Sequence, residues 1–440
     1  MLRRSVIVPL AVAGALLVAA PSDAAIGHVP LPDAATLAAR RGQYLSLAEL
    51  GLRQAHRHWW NPRMHWYDEF KDGRGWRPLV SLWGAVPLFQ AFNAVAIADP
   101  TPANRHAAEV FALGAERYLN PSLRPIAGYA SYPGLRSPER AWFDDNGWWG
   151  LSFLDAFRAT GNPRFVRDAQ RAFRFIARSG WDPAKGGLWW DTTHTKKAGE
   201  TLASATLLAA LLYQRTGSAY YAAQARRYLA WAGTNFWNPK AQLYRRTDTS
   251  GTPMPYVEMP MIVASAVLCR IDATPDDCQR AASLSRAFLA WFPPEADMGP
   301  QFDAVYLRWI LEAYAIGGDP QLYAIADYNA QRALQNGRFQ TGLFAVNGAP
   351  KPGYYAFRFP LAQVSRRGSS TALWGQIRPG KGPRTYRLEV QTRGQWRWVG
   401  PNRHTNSLGA YAVTITAPRG SLVRAWSPAD RSFGWPLLVR

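Results

Sequence analysis

Residues 142–150 read Trp142-Phe143-Asp144-Asp145-Asn146-Gly147-Trp148-Trp149-Gly150, and apolar residues follow at positions 151, 153, 154 and 157. Apolar residues at steps of three and four are typical of the buried face of a helix. We therefore predict a helix over about 145–160, with two adjacent carboxylates where it begins. The same spacing recurs on both sides of this helix and predicts an all-α body.

The other predicted helices share this periodicity. One contains Leu45, Ala48, Leu52 and Ala55, and the rest cover about 80–98, 103–119, 163–178, 199–215, 218–234, 257–271, 275–291, 301–316 and 319–335. With 145–160 they make eleven segments, which leaves open whether a twelfth completes the set.

Long and short connections alternate between these helices. The long ones begin at Asn61-Pro62, Asn120-Pro121, Asp182-Pro183, Asn238-Pro239 and Phe292-Pro293, so the breaks recur every 54 to 62 residues. A near-constant period of this size indicates a repeated helix hairpin, and such hairpins either stack as an open solenoid or close into a ring. The predicted helix that opens near Glu200 is apolar nearly all round, as an inner helix is. We therefore predict an α/α toroid with all its long loops at one end.

Asp144 and Asp145 are candidates for the two carboxyl groups of glycoside hydrolysis. Neighbouring Cα atoms lie about 3.8 Å apart, and retaining enzymes use carboxyl groups about 5–5.5 Å apart, against roughly 6.5–9.5 Å for inverting ones. The adjacent pair therefore favours retention, and mutual repulsion separates its two pKa values. The plainer alternative is an N-cap and a favourable charge at the helix start. The flanking rings favour the first interpretation, because aromatic faces bind the apolar faces of sugars.

A second aromatic motif, Gly186-Gly187-Leu188-Trp189-Trp190-Asp191, follows the Asp-Asp motif. With these motifs and the late segment around Phe302 and Asp303, the region from about Leu45 to Gln335 resembles glycoside hydrolase family 76, which contains α-1,6-mannanases on an (α/α)6 toroid. The resemblance implies that Asp144 is the nucleophile and Asp145 the general acid/base. The candidate substrate-binding residues are Phe143, Trp148, Trp149, Trp189, Trp190, Asp191, Tyr256, Glu258 and Asp303.

Two loops depart from the family's usual pattern. Lys196-Lys197-Ala198-Gly199 stands where a Lys-Asn-Ala sequence is usual, and Tyr256-Val257-Glu258 stands where a Tyr-Asn-Gln step is usual. We expect a retaining hydrolase of α-1,6-linked, mannan-type polysaccharide. A carbohydrate-binding or cell-wall-organising protein, or a transglycosylase with the same cleft, is the alternative.

The N-terminus and the cysteines indicate export. Residues 1–25 combine Arg3 and Arg4, an apolar run and small residues, which is the pattern of a signal peptide. Cys269 and Cys278 flank a turn that contains proline, and we expect a disulfide between two helices, with free buried thiols as the alternative. We therefore expect a secreted, extracellular protein that can associate with the cell surface.

The pattern changes after the last predicted helix. Period-two alternation from Tyr386 to Gln391 and from Tyr411 to Thr416 is typical of half-buried strands. We predict a toroid over 26–345 and a small all-β domain over 350–440, an immunoglobulin-like or fibronectin-like sandwich. Trp374, Trp396, Trp398 and Trp426 fit either its core or a sugar platform.

Charge and composition restrict the partners. The 440 residues carry a net charge of +21, much of it in arginines of the β domain, and no nucleic-acid motif accompanies it. We expect a polysaccharide or glycolipid substrate, an anionic cell-surface polymer at the β domain, and a monomer. The histidine spacing and the glycine pairs predict neither a metal site nor a nucleotide site, and no cofactor is expected.

Overall fold

The computed structural model describes residues 32–70, 79–294, 300–335, 359–377, 383–429, 431–434 and 436–440. The predicted signal peptide lies outside this part of the chain. The described residues contain eleven α-helices, which are α1 (Ala34–Trp59), α2 (Leu82–Ala98), α3 (Pro102–Ala115), α4 (Phe143–Thr160), α5 (Arg164–Phe175), α6 (Gly199–Thr216), α7 (Ala219–Asn235), α8 (Pro255–Asp272), α9 (Pro275–Trp291), α10 (Pro300–Gly317) and α11 (Pro320–Gln335). None of them is long and apolar enough to cross a membrane.

Local capping explains where several helices begin and end. Thr101 and Thr274 accept backbone N–H groups at the starts of α3 and α9, each just before a proline in the first turn. Helices α4 and α6 end at Gly161 and Gly217, which adopt φ of 77° and 70°. Helix α1 begins earlier than its apolar spacing predicts because Asp33 caps it through Thr36 N at 2.8 Å.

The helices form two concentric layers. The inner layer consists of the helices that follow the long loops, α2, α4, α6, α8 and α10; each contacts the next, and α10 also contacts α2. Helices α3, α5, α7, α9 and α11 pack behind them, and α1 contacts α2 and α11. Every residue of α6 from Gly199 to Ala210 is buried, which confirms the prediction of an apolar inner helix and an α/α toroid.

Most long loops open with the same turn. The side chains of Asn61, Asn120, Asp182 and Asn238 each accept a backbone N–H two residues on. This Asx turn offers the chain a local alternative to continuing the helix. Three of these loops then form two-stranded ribbons, which are β1 (Trp60–Asn61) with β2 (Trp66–Tyr67), β3 (Leu119–Asn120) with β4 (Gly128–Tyr129), and β5 (Trp237–Asn238) with β6 (Leu243–Tyr244).

The C-terminal region is a two-layered antiparallel β structure, as predicted. One sheet contains β7 (Leu361–Arg367), β8 (Ser370–Gln376) and β11 (Ala410–Thr416); the other contains β9 (Thr385–Thr392), β10 (Gln395–His404), β12 (Leu422–Ser427), β13 (Ser432–Phe433) and β14 (Leu437–Leu438). Side chains from both sheets share one core that includes Leu373, Ile415, Leu388 and Val423. Period-two alternation therefore places apolar residues between the sheets.

Cys269 and Cys278 form a disulfide between the last turn of α8 and the first turn of α9. The predicted bridge between two helices is thus confirmed, and the alternative of free thiols does not hold.

Replacing both cysteines by serine is expected to lower the free energy of unfolding by about 2–3 kcal/mol, because closing a loop of this length restricts the unfolded chain by roughly that amount. Urea unfolding with and without a reductant measures the effect. The double variant should lose its response to reductant, and a wild type that is equally stable in both conditions would contradict the expectation.

Candidate active site

A pocket of about 320 Å³ opens at the loop end of the inner helices. Asp144 and Asp145 reach it from the first turn of α4, and Glu200 from the first turn of α6. The other lining residues are Ser81, Trp83, Ser131, Tyr132, Trp142, Trp190, Arg246, Tyr256 and Phe302. The pocket therefore combines acids with aromatic rings, which is the composition expected of a carbohydrate site.

Asn146 fixes the start of α4. Its side-chain Oδ1 accepts Tyr129 N at 2.8 Å, and its Nδ2 donates to Tyr129 O at 2.8 Å and to Trp142 O at 2.9 Å. The residue is fully buried. The N-cap itself is Trp142, and no side chain caps the first turn. Asp144 and Asp145 consequently do not act as capping residues, and their side chains remain available to the pocket.

Backbone hydrogen bonds from neighbouring loops also position the starts of α4 and α6. Phe143 N donates to Trp190 O at 2.9 Å, and Gly199 N donates to Arg246 O at 2.6 Å. A Cβ at Gly147 would lie 2.5 Å from the Cβ of Ser204, so glycine permits the close approach of α4 and α6. The carboxyl groups on the two helices therefore converge on one pocket.

Asp144 is buried, with 7% of its surface exposed. Trp190 Nε1 donates to its Oδ2 at 3.2 Å, while its Oδ1 has no hydrogen-bond partner. Burial raises the pKa of Asp144 well above its ordinary value, and the charges of Asp145 and Glu200 raise it further. An unpartnered, buried carboxylate oxygen in an open pocket is suited to contact a ligand.

Burial also raises the pKa of Asp145, to about 7. The two carboxyl groups interact, so their pKa values belong to the pair rather than to either residue. At neutral pH the pair can hold a proton on one member and a charge on the other. Glycoside hydrolysis by acid and nucleophile requires this state.

The sequence did not identify Glu200 and Arg246 as site residues. Glu200 is buried, its Oε1 accepts Arg246 Nε at 2.7 Å, and its Oε2 has no partner. One signal could have indicated Glu200, since it lies in the first turn of the inner helix that follows α4. Arg246 gave no such signal, because its loop reaches the pocket only through tertiary contacts.

Some of the predicted substrate-binding residues line the pocket, and others are buried in the core. Trp190 and Tyr256 line the pocket. Phe143, Trp148 and Trp149 are fully buried in the hydrophobic core. A ring without exposed surface cannot stack on a sugar in this conformation, so these three rings contribute packing around the acid pair. Trp83, Trp142 and Phe302 line the pocket instead.

The remaining predicted residues lie outside the pocket lining. Trp189 packs against His194 and the core, and Asp191 binds Arg140 and Thr193. Glu258 is fully buried and accepts Tyr244 N at 3.1 Å with Oε1. Asp303 is half-buried near the start of α10. Trp189, Asp191 and Glu258 therefore support loops and helices around the site.

The two loops that depart from the family pattern also contribute structural contacts. Lys197 is buried and its Nζ pairs with Asp182 at 2.7 Å, and Lys196 lies over the ring of Trp190 at 4.5 Å. Neither lysine lines the pocket. The departure at Lys196 and Lys197 therefore lies outside the lining that contains Asp144 and Asp145.

Comparison with known proteins gives one family match. Residues 127–254, which include the acid pair, match the model of Glycosyl hydrolase family 76. No curated protein gives a significant match. The sequence resemblance to this family is confirmed, and the match supports a glycoside hydrolase.

Solved structures show the same fold. A family 76 mannosidase from Bacteroides thetaiotaomicron aligns with a TM-score of 0.61 and 17% identity, over 70% of this chain and 92% of its own. The GH76A α-1,6-mannanase from Salegentibacter sp. aligns with a TM-score of 0.56 and 14% identity, over 70% and 93%. An inactive variant of that mannanase, with two consecutive aspartates replaced by alanine, was solved with α-1,6-mannotetrose; it aligns with a TM-score of 0.57 and 14% identity, over 70% and 93%.

Proposed function

We propose that this protein is a secreted, retaining glycoside hydrolase of family 76 that cleaves α-1,6-mannosidic bonds within a mannan-type polysaccharide. The observation that carries the proposal is the adjacent acid pair in an aromatic pocket, with both pKa values raised by burial. The inactive mannanase variant supports it, because consecutive aspartates were replaced there and the ligand was an α-1,6-mannan oligosaccharide.

In the proposed reaction, Asp144 is the nucleophile. Its carboxylate attacks the anomeric carbon while Asp145 donates its proton to the leaving glycosidic oxygen, so one C–O bond forms as the other breaks. Asp145, now ionised, takes a proton from water, and the resulting hydroxide attacks the same carbon and releases Asp144. Two inversions at one carbon give net retention. The hydrogen bond from Trp190 Nε1 favours the charged form of Asp144.

The proposal of secretion rests on the N-terminal sequence and on the disulfide. Residues 1–25 have the pattern of a signal peptide, and a disulfide between Cys269 and Cys278 is typical of an oxidising compartment. Mass spectrometry of protein collected from the culture medium would test both, by showing the mature N-terminus near residue 25 and the intact bridge. An unprocessed protein that stays inside the cell would contradict secretion.

Linear α-1,6-mannan is the substrate that tests the hydrolase proposal. The wild type is expected to release reducing ends, and ¹H NMR of the first products should show the α-anomer before mutarotation. A β-anomer would overturn retention. Binding of mannan without any release of reducing ends would favour the carbohydrate-binding alternative, and elongated products would favour a transglycosylase.

The pH profile should reflect the buried pair. Asp145 must hold a proton to act as an acid, so activity is lost as pH rises through about 7. Activity is also lost at low pH, where Asp144 gains a proton and can no longer attack. The charge of Glu200 raises the pKa of Asp144. Replacing Glu200 by glutamine removes that charge but keeps an acceptor for Arg246. The pKa of Asp144 should therefore fall, and the low-pH limb of the kcat/KM profile should shift to lower pH.

Glu258→Gln provides the matched control, because Glu258 is also a buried acid in the first turn of an inner helix but lies outside the pocket. Its pH profile is expected to match the wild type. If both glutamine variants shift the profile equally, Glu200 does not act through the acid pair.

A further inference from the structure

The outer face of the five-stranded sheet carries a cluster of aromatic rings. Trp396 and Trp398 on β10 pair in register with Gln391 and Glu389 on β9, and the next strand, β12, places Trp426 opposite Arg387. Phe433 on β13 pairs with Trp426. Because alternate residues of a strand point to the same side, the four rings share the face that is turned away from the core. We call Trp396, Trp398, Trp426 and Phe433 the aromatic face.

Arginines are stacked on these rings. The guanidinium of Arg387 lies 4.5 Å from the ring centre of Trp398, and that of Arg424 lies 4.0 Å from Trp396 and 3.8 Å from Phe433. Arg424 also pairs with Glu389 at 2.7 Å. The rings and cations are therefore held in one layer, and the acid within it is already neutralised.

The outer face of the opposite sheet has a different composition. Trp374 on β8 pairs with Ala362 on one side and Ala412 on the other. Trp374 and Trp398 are equally exposed, at 41% each, but no arginine stacks on Trp374 among the described residues. Rings and arginines are thus clustered on the outer face of one sheet only. Solvent exposure alone does not explain this difference, because both outer faces are exposed.

The charge of the region indicates the sign of a partner. Residues 350–440 contain fifteen Lys and Arg against two acids, Glu389 and Asp430. A surface that combines positive potential with ring faces suits a ligand that carries both acid groups and apolar sugar faces. Arg387 donates through Nε to Gly400 O at 3.2 Å, which helps to hold its guanidinium beside Trp398.

We propose that the aromatic face binds an anionic polysaccharide, with pyranose rings on Trp398 and Trp396 and acid groups at Arg387 and neighbouring cations. The face thereby holds the enzyme on an acidic glycan matrix while the toroid cleaves its own substrate. The choice of a polysaccharide over another polyanion rests on the proposed function of the toroid. The binding face itself is independent of the catalytic pair.

Surface plasmon resonance of the full chain on immobilised polygalacturonate tests the proposal, with dextran as the neutral surface and duplex DNA as a different polyanion. The wild type should bind polygalacturonate but not dextran. Trp398→Ala is expected to weaken binding about tenfold, the order of magnitude for losing a stacked ring with its cation. Trp374→Ala should bind as the wild type does.

Several results would overturn the proposal. These are equal losses in Trp374→Ala and Trp398→Ala, no loss in Trp398→Ala, and equally tight binding to duplex DNA with the same dependence on Trp398. Thermal unfolding of each variant verifies that the domain remains folded. Cleavage of a soluble mannan oligosaccharide should be unchanged in Trp398→Ala. Binding and hydrolysis can therefore fail separately, and failure of one proposal does not imply failure of the other.

Discussion

Asp144→Asn and Asp145→Asn are each expected to abolish most of the proposed activity on α-1,6-mannan, with kcat lowered by at least roughly 10²–10⁴. Asparagine keeps the shape of the side chain but can neither attack the anomeric carbon efficiently nor transfer a proton. The loss should be largest for Asp144, because no covalent intermediate forms without it. Reducing-end release under substrate saturation measures the effect.

The assigned roles can be separated with azide. In Asp145→Ala the glycosyl-enzyme should still form on a substrate with a good leaving group, and azide attacks it to give the α-azide, with retention. In Asp144→Ala azide replaces the nucleophile and gives the β-azide, with inversion. The opposite pattern would exchange the roles of Asp144 and Asp145.

Stability provides the control for the asparagine variants. A buried carboxyl with a raised pKa binds its proton more tightly in the folded chain, so its stabilising contribution is present at low pH and is lost as pH rises from the unfolded value of 3.8 to about 7. Near neutral pH the wild type must bury an ionised carboxylate, which destabilises the folded chain. The asparagine variants have no such charge and should unfold at or above the wild-type temperature at neutral pH. A marked decrease in unfolding temperature would attribute the lost activity to misfolding.

Asn146→Ala is expected to lower the free energy of unfolding by about 3–5 kcal/mol, because it leaves the buried N–H and C=O of Tyr129 without partners at roughly 1–3 kcal/mol each. The start of α4 also loses its bond to Trp142 O. We therefore expect kcat to fall as well, since the acid pair lies in that turn. Urea unfolding and mannan hydrolysis measure the two effects.

Asn235→Ala is the matched control, because Asn235 donates a single exposed bond to Trp231 O in the last turn of α7. An exposed hydrogen bond contributes little, so this variant should change stability by less than about 0.5 kcal/mol. Similar losses in both variants would show that the buried bonds of Asn146 do not hold the helix start.

The sequence predicted the helices well because the features that start, continue and end a helix lie within a few residues of one another. Apolar spacing, Thr caps at Thr101 and Thr274, and glycines at Gly161 and Gly217 act within a few residues. The alternation of long and short loops then predicted the inner and outer layers. The disulfide and the two-layered β region also followed from spacing and period-two alternation.

The lining of the site was harder to predict, because burial depends on residues far away in sequence. Phe143, Trp148 and Trp149 are next to the acid pair in sequence, yet their rings lie in the core. Trp83 and Phe302 are distant in sequence, yet they line the pocket. Proximity in sequence is therefore a poor guide to which rings contact a ligand.

The sequence by itself determined the repeated helix hairpin, the position of Asp144 and Asp145 at the start of an inner helix, and the change to strands near the C-terminus. Periodicity and turn chemistry are properties of short segments, so they can be recognised without the fold. Tertiary structure alone decided that Glu200 and Arg246 join the acid pair and that four rings share one sheet face with arginines. Those assemblies depend on how closed layers and strand register bring distant segments together, and no local pattern encodes that geometry.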